Sequence, residues 1–176
     1  MKSRVQNLVT VKSLALFVLA TTVLVLLGTA VAQPARDPVS GTGSSELVTT
    51  SPPPAGAIMQ FAGSIDLLVR GEATTVDLVV NVFSIVENEE GVQHVTASHV
   101  LTFDDGSTIT TSDKEVAEPT DVPGLYVLNG NLKVVSGTGV YAGAAGHFTA
   151  HGTMDFRALP IASFEIRGAV SSPAAD

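Results

Sequence analysis

Cysteine and tryptophan are both absent from this 176-residue chain, which carries only two tyrosines and seven phenylalanines. Without cysteine, disulfides, thiolate metal ligands, thiol nucleophiles and lipidation of an amino-terminal Cys are excluded. Aromatic residues make up 5% of the chain and apolar residues 45%. A core must therefore be built mainly from Val, Ile, Leu, Ala and Phe. Positive charge is scarce as well: nine Lys and Arg stand against 17 Asp and Glu. An acidic surface repels phosphate, so nucleic acid and anionic lipid are poor partners. Helical signal is also lacking. No run of about ten residues repeats its apolar positions at helical spacing between caps.

What is present begins with a leader. Lys2, Arg4 and Lys12 precede an uncharged apolar run, LALFVLATTVLVLL, over residues 14–27. Gly28 breaks the run, and Ala30-Val31-Ala32 supplies the small-x-small pattern of a signal peptidase site. The run is short for a membrane span, which needs about 20 residues. Residues 1–32 are therefore expected to be a cleaved signal peptide, sending the protein to the periplasm or the medium. An uncleaved signal anchor is the competing reading. Cleavage would remove three of the nine basic residues and leave six against 17 acidic ones, a net charge of about −11.

Residues 33–57, QPARDPVSGTGSSELVTTSPPPAGA, are rich in Pro, Ser, Thr and Gly, without an apolar period. They read as a disordered tether, with a short strand conceivable at residues 47–50. Residues 171–176 read as a loose tail. Between them, residues 58–170 carry strand signals throughout. The longest run, residues 74–86, has two opposed sets. Val76, Leu78, Val80 and Val82 form one; Asp77, Val79, Asn81, Phe83 and Ile85 form the other. Asp104-Asp105-Gly106 between two alternating runs is a hairpin signal. Asn129-Gly130-Asn131 interrupts a later run and suggests a bulge or turn. Short strands joined by short turns predict an antiparallel barrel or sandwich.

The most specific stretch is Ser136-Gly137-Thr138-Gly139-Val140-Tyr141-Ala142-Gly143-Ala144-Ala145-Gly146. Its Gly-x-Gly start is not a dinucleotide loop, because strand-like HFTAHGTMDF follows where a helix should begin. In Gly137, Thr138, Gly139, Tyr141, Gly143, Ala144 and Gly146 the chain resembles the allene oxide cyclase barrel. Dirigent proteins and exported bacterial proteins share this pattern. LTFDDGS at residues 101–107 and FEIRGAV at residues 164–170 extend the resemblance over about residues 61–170. Ser136 departs from it, since many members carry another glycine there. The resemblance implies an all-β fold, a single small antiparallel barrel of about eight strands. It implies a structural role for the glycine turn, with Tyr141 plugging a barrel end or groove. Enzymes of that family place acidic, Asn or Arg side chains in the cavity. None maps onto a residue of this chain, and no cofactor is implied.

Candidate chemistry is sparse. Asp77 and Asn81 share a strand face with Phe83 and would be catalytic candidates if that face were interior, since a desolvated carboxylate can serve as a general base. The opposite face is the more apolar one and the better candidate for the interior. Phe83 and Tyr141 are the candidate ligand contacts. His147 and His151, four residues apart on a strand, stand about 13 Å apart and cannot share one ion. His94 and His99 point to opposite faces. The histidines are expected to face solvent and no metal site is expected. Glu165 and Arg167, like Asp66 and Arg70, read as solvated partners.

Three functions follow as expectations. The first is an exported barrel binding a small apolar molecule. The second, suggested by the resemblance, is a cofactor-free cyclase or isomerase that confines its substrate, like allene oxide cyclase, dirigent proteins or spirotetronate-forming cyclases. The third is a cell-surface or matrix interaction protein.

Overall fold

The structure is a computed structural model that describes residues 36–171. Residues 1–35, with the expected signal peptide, and residues 172–176 lie outside the described residues. Eight strands follow in order: β1 (Arg36–Leu47), β2 (Met59–Val69), β3 (Glu72–Glu87), β4 (Gln93–Thr102), β5 (Thr108–Pro119), β6 (Leu125–Gly137), β7 (Ala145–Asp155) and β8 (Ile161–Ser171). Each pairs antiparallel with the next, and β1 also pairs with β8, which closes the sheet into a barrel. Closure removes free sheet edges, the exposed backbone that would otherwise recruit another chain. The one helical element among the described residues is the 3-10 turn Gly139–Tyr141.

Strand β1 corrects the expectation of a disordered tether. Its inward positions are Val39, Gly41, Gly43, Ser45 and Leu47, so small residues mute the alternating apolar signal. Pairing on both sides supplies what the side chains do not. Val39 lies between Val69 and Gly168, and Ser45 between Gly63 and Ala162. The glycine at 63 is required there, because a Cβ would collide with the Ser44 carbonyl across the strand pair. Close backbone approach of this kind lets a small barrel curve tightly.

Period-two alternation fills the interior. Val76, Leu78, Val80 and Val82 of β3 are buried, joined by Ile65, Leu67, Leu101, Ile109, Leu132, Phe148, Ile166 and Val170. Burial of one such side chain contributes about 2–3 kcal/mol. A register shift between Val82 and Ser84 leaves Phe83 unpaired and turns the next residues over, so Ile85 reaches inward although it shares parity with exposed Asp77. Asn129-Gly130-Asn131 runs straight through β6; the irregularity of that strand lies farther on, opposite Thr110 and Thr111. The Asp104-Asp105-Gly106 hairpin forms as expected. Gly106 takes φ 80°, and the Asp105 carboxylate accepts the Ser107 backbone N–H at 2.8 Å.

The glycine-rich stretch closes one end. Tyr141 is buried, and its ring packs on Phe103 with centroids 4.6 Å apart. Gly139 takes φ 58°, and a Cβ there would press on the Ser107 side chain. Ser107 Oγ accepts the Val140 N–H at 3.1 Å, tying the turn to the β4–β5 hairpin.

Candidate functional site

The opposite half of the barrel is not filled. A pocket of about 60 Å³ opens between the ends of the strands. Its walls include Met59, Phe61, Val82, Val95, Leu128 and Phe164, and its polar lining comes from Ser45, Gln93, His99 and Glu115.

The polar floor is built by β4 and β5. On β5, Ile109, Thr111, Asp113, Glu115 and Ala117 alternate inward, so three polar residues sit within an apolar frame. Asp113 pairs with Ala97 and Leu132, and Glu115 with Val95 and Gly130. One partner of each carboxylate is small and makes room for it, Ala97 beside Asp113 and Gly130 beside Glu115: a Cβ on Gly130 would stand 3.2 Å from Cγ of Glu115. On β4, His99 points inward next to this row. Its Nδ1 lies 2.8 Å from Oδ2 of Asp113 and 3.9 Å from Oε1 of Glu115. Its backbone N–H is donated to Thr111 Oγ1 at 3.1 Å, which holds the residue in place. The imidazole meets the Phe164 ring edge-on, with centroids 6.4 Å apart.

Acceptors outnumber donors here. Asp113 is fully buried, yet its Oδ1 finds no hydrogen-bond donor among the described residues. Burial works against a charged imidazole, but the Asp113 hydrogen bond and the nearby carboxylates outweigh it and hold the His99 pKa above its ordinary value. Burial pushes the Glu115 carboxyl up, opposed by His99 and reinforced by Asp113. Two titratable groups lining an apolar pocket, with an acceptor that binds and orients one of them, suit proton exchange with a bound molecule.

The sequence-derived candidates lie elsewhere. Asp77 is exposed on the outer face, where Asn81 accepts a hydrogen bond from Gln60 at 2.8 Å. The more apolar set of β3 is the interior, and the inward alternative for Asp77 and Asn81 is corrected. Phe83 is 41% exposed on its bulge, outside the pocket. Tyr141 belongs to the closed end and does not line the pocket. His94, His147 and His151 face solvent, whereas His99 corrects the expectation that all four do. Glu165 and Arg167 form an exposed pair at 3.1 Å. Arg70 does not join Asp66; it pairs with Asp37 of β1 at 2.6 Å, and Asp66 accepts from Thr75. Asp113 and Glu115 escaped sequence reading because charges in a strand ordinarily mark a solvated face. The available signal was their parity with Ile109 and Ala117.

No family model matches the sequence, and no curated protein matches it. Among solved structures the chain is similar to the pterocarpan synthase dirigent protein PsPTS1. That match has 15% identity and a TM-score of 0.47 and covers 81% of this chain and 99% of the other. The pterocarpan synthase dirigent protein GePTS1 matches at 15% identity with a TM-score of 0.43, over 84% of this chain and 96% of the other. The chain's own strand pairing establishes the closed eight-stranded barrel, and its likeness to these dirigent proteins is one of fold, from which no substrate or residue role follows.

Proposed function

We propose that the barrel takes up a small, largely apolar molecule carrying one polar group. The apolar walls hold the body of the molecule, and His99 and Glu115 hold the polar group. The observation that carries this reading is an apolar pocket whose floor bears two titratable side chains, buried His99 and half-buried Glu115. At about 60 Å³ the space is well below the several hundred Å³ of a drug-sized ligand site. The occupant is therefore compact, or projects from the mouth. Export by residues 1–32 is part of the proposal, and cleavage after Ala32 would leave β1, which starts at Arg36, intact. The test is an NMR titration of the mature protein with a panel of small apolar alcohols, phenols and acids. Saturable shifts at Val95, Leu128 and Phe164, reduced in Ala117→Phe, are expected. Shifts confined to outer-face residues would sink the reading.

The position of His99 favours a second reading, a cofactor-free isomerase or cyclase. Asp113 engages Nδ1 and orients the ring, leaving Nε2 as the nitrogen free to exchange a proton with a confined substrate. The two readings separate on the fate of the ligand. A binding protein returns it unchanged, and an isomerase returns an isomer of the same mass, detected by NMR and lost in His99→Gln.

A further inference from the structure

His99, Asp113 and Glu115 form a closed set of ligating atoms that no other reading uses in full. One nitrogen and two carboxylate oxygens lie within 4.8 Å of one another. The separations from Nδ1 are 2.8 Å to Asp113 and 3.9 Å to Glu115. Ligands at about 2.0–2.2 Å from a tetrahedral ion stand roughly 3.3 Å from each other. The two edges from Nδ1 therefore lie about half an ångström from that spacing, and the third, within 4.8 Å, closes to it by at most about 1.5 Å. The independent observation is Oδ1 of Asp113: a carboxylate oxygen of a fully buried side chain, beside this set and without a donor. A buried acceptor left unmatched is rare and calls for a partner the chain does not supply.

We infer that these three side chains bind one divalent transition-metal ion at the pocket floor. Two carboxylates neutralise the double charge, and one imidazole favours zinc or cobalt over magnesium or calcium. The route in is open, since His99 and Glu115 line the pocket. The β3–β4 and β5–β6 connections, which adjoin pocket-lining Gln93 and Ala117, carry exposed Glu89, Glu90 and Asp121, and the end of β5 adds exposed Glu118, negative charge that draws cations. Gly130 keeps the Glu115 carboxylate free to move by presenting no side chain across from it. The remaining positions of the ion would face the pocket, where water or the polar group of the occupant completes the shell. The inference goes beyond ligand uptake and does not depend on it.

The test is calorimetric titration of the chelator-stripped protein with zinc, alongside the absorption spectrum of the cobalt-loaded form. One ion per chain is expected, with visible cobalt bands from a nitrogen–oxygen site. Glu115→Gln and His99→Gln should each weaken zinc by more than about 10-fold, and His147→Ala and His151→Ala should leave it unchanged. Glu115 reaches the pocket and its glutamine variant is the least disruptive to folding, so the result stands even if variants of Asp113 fail to fold. Absence of stoichiometric binding at millimolar zinc would overturn the inference. So would affinity that survives in Glu115→Gln or falls in the His147 and His151 variants.

Discussion

Asp113→Leu is the sharpest perturbation of the barrel interior. Asp113 is fully buried and binds His99 Nδ1 at 2.8 Å, and the imidazole itself is almost as deeply buried. Removing one partner of such a pair leaves the other without compensation, an effect of about 3–5 kcal/mol. A domain of this size has only about 5–15 kcal/mol in total, so the variant should melt roughly 10–20 °C lower. Removing both partners is different. In His99→Leu with Asp113→Leu, two desolvation penalties vanish and two apolar side chains join Leu101, Leu132 and Ile109. The double variant should come within about 1 kcal/mol of the parent, with a coupling energy of 2 kcal/mol or more by the rough scale of such cycles. Urea unfolding in the presence of a chelator measures all four corners of the cycle without a contribution from bound metal. A single-variant loss under about 1 kcal/mol, or single losses that simply add, would refute the electrostatic account of this core.

Three further outcomes follow from the same geometry. His99 and Glu115 both have folded-state pKa values raised above the ordinary 6.5 and 4.5. Their contribution is fully present below those values and is lost as pH rises through the folded ones, so chelated protein should lose stability as pH rises above the ordinary 4.5 for Glu115 and above the ordinary 6.5 for His99. Denaturant midpoints should fall with rising pH in the parent and flatten in the double leucine variant; a rise would contradict the assignment. A chain beginning at residue 58 lacks β1, which exposes the edges of β2 and β8; it should aggregate, whereas one beginning at residue 33 should stay monodisperse by light scattering. Gly63→Ala drives a Cβ into the Ser44 carbonyl and should cost about 3 kcal/mol or more, because the obstacle is backbone and cannot turn aside.

Much of the architecture was legible in local pattern. Val76, Leu78, Val80 and Val82 announce an inward face at period two, and Asp104-Asp105-Gly106 announces its hairpin. The glycine-rich stretch around Tyr141 points to the barrel itself. Failures came where a residue's meaning depends on its neighbours across the sheet. Arg36–Leu47 looks like a tether because its inward side chains are small, yet two flanking strands make it the closing strand. Ile85 reaches inward because the bulge at Phe83 reverses the parity of β3.

The site divides along the same line. Composition by itself determined that no cysteine chemistry operates and that the core is mainly aliphatic. Residue order carried the period-two pattern, which is a property of each strand alone and survives any pairing. Only tertiary structure decided that His99, Asp113 and Glu115 meet. They belong to two strands, and charged residues in a strand lie outside unless closure of the barrel leaves no outside on that face. Pairing of β4 with β5 brings the imidazole to the carboxylates, and Gly130 on β6 leaves them room. Register between strands, which no single strand encodes, placed the chemistry.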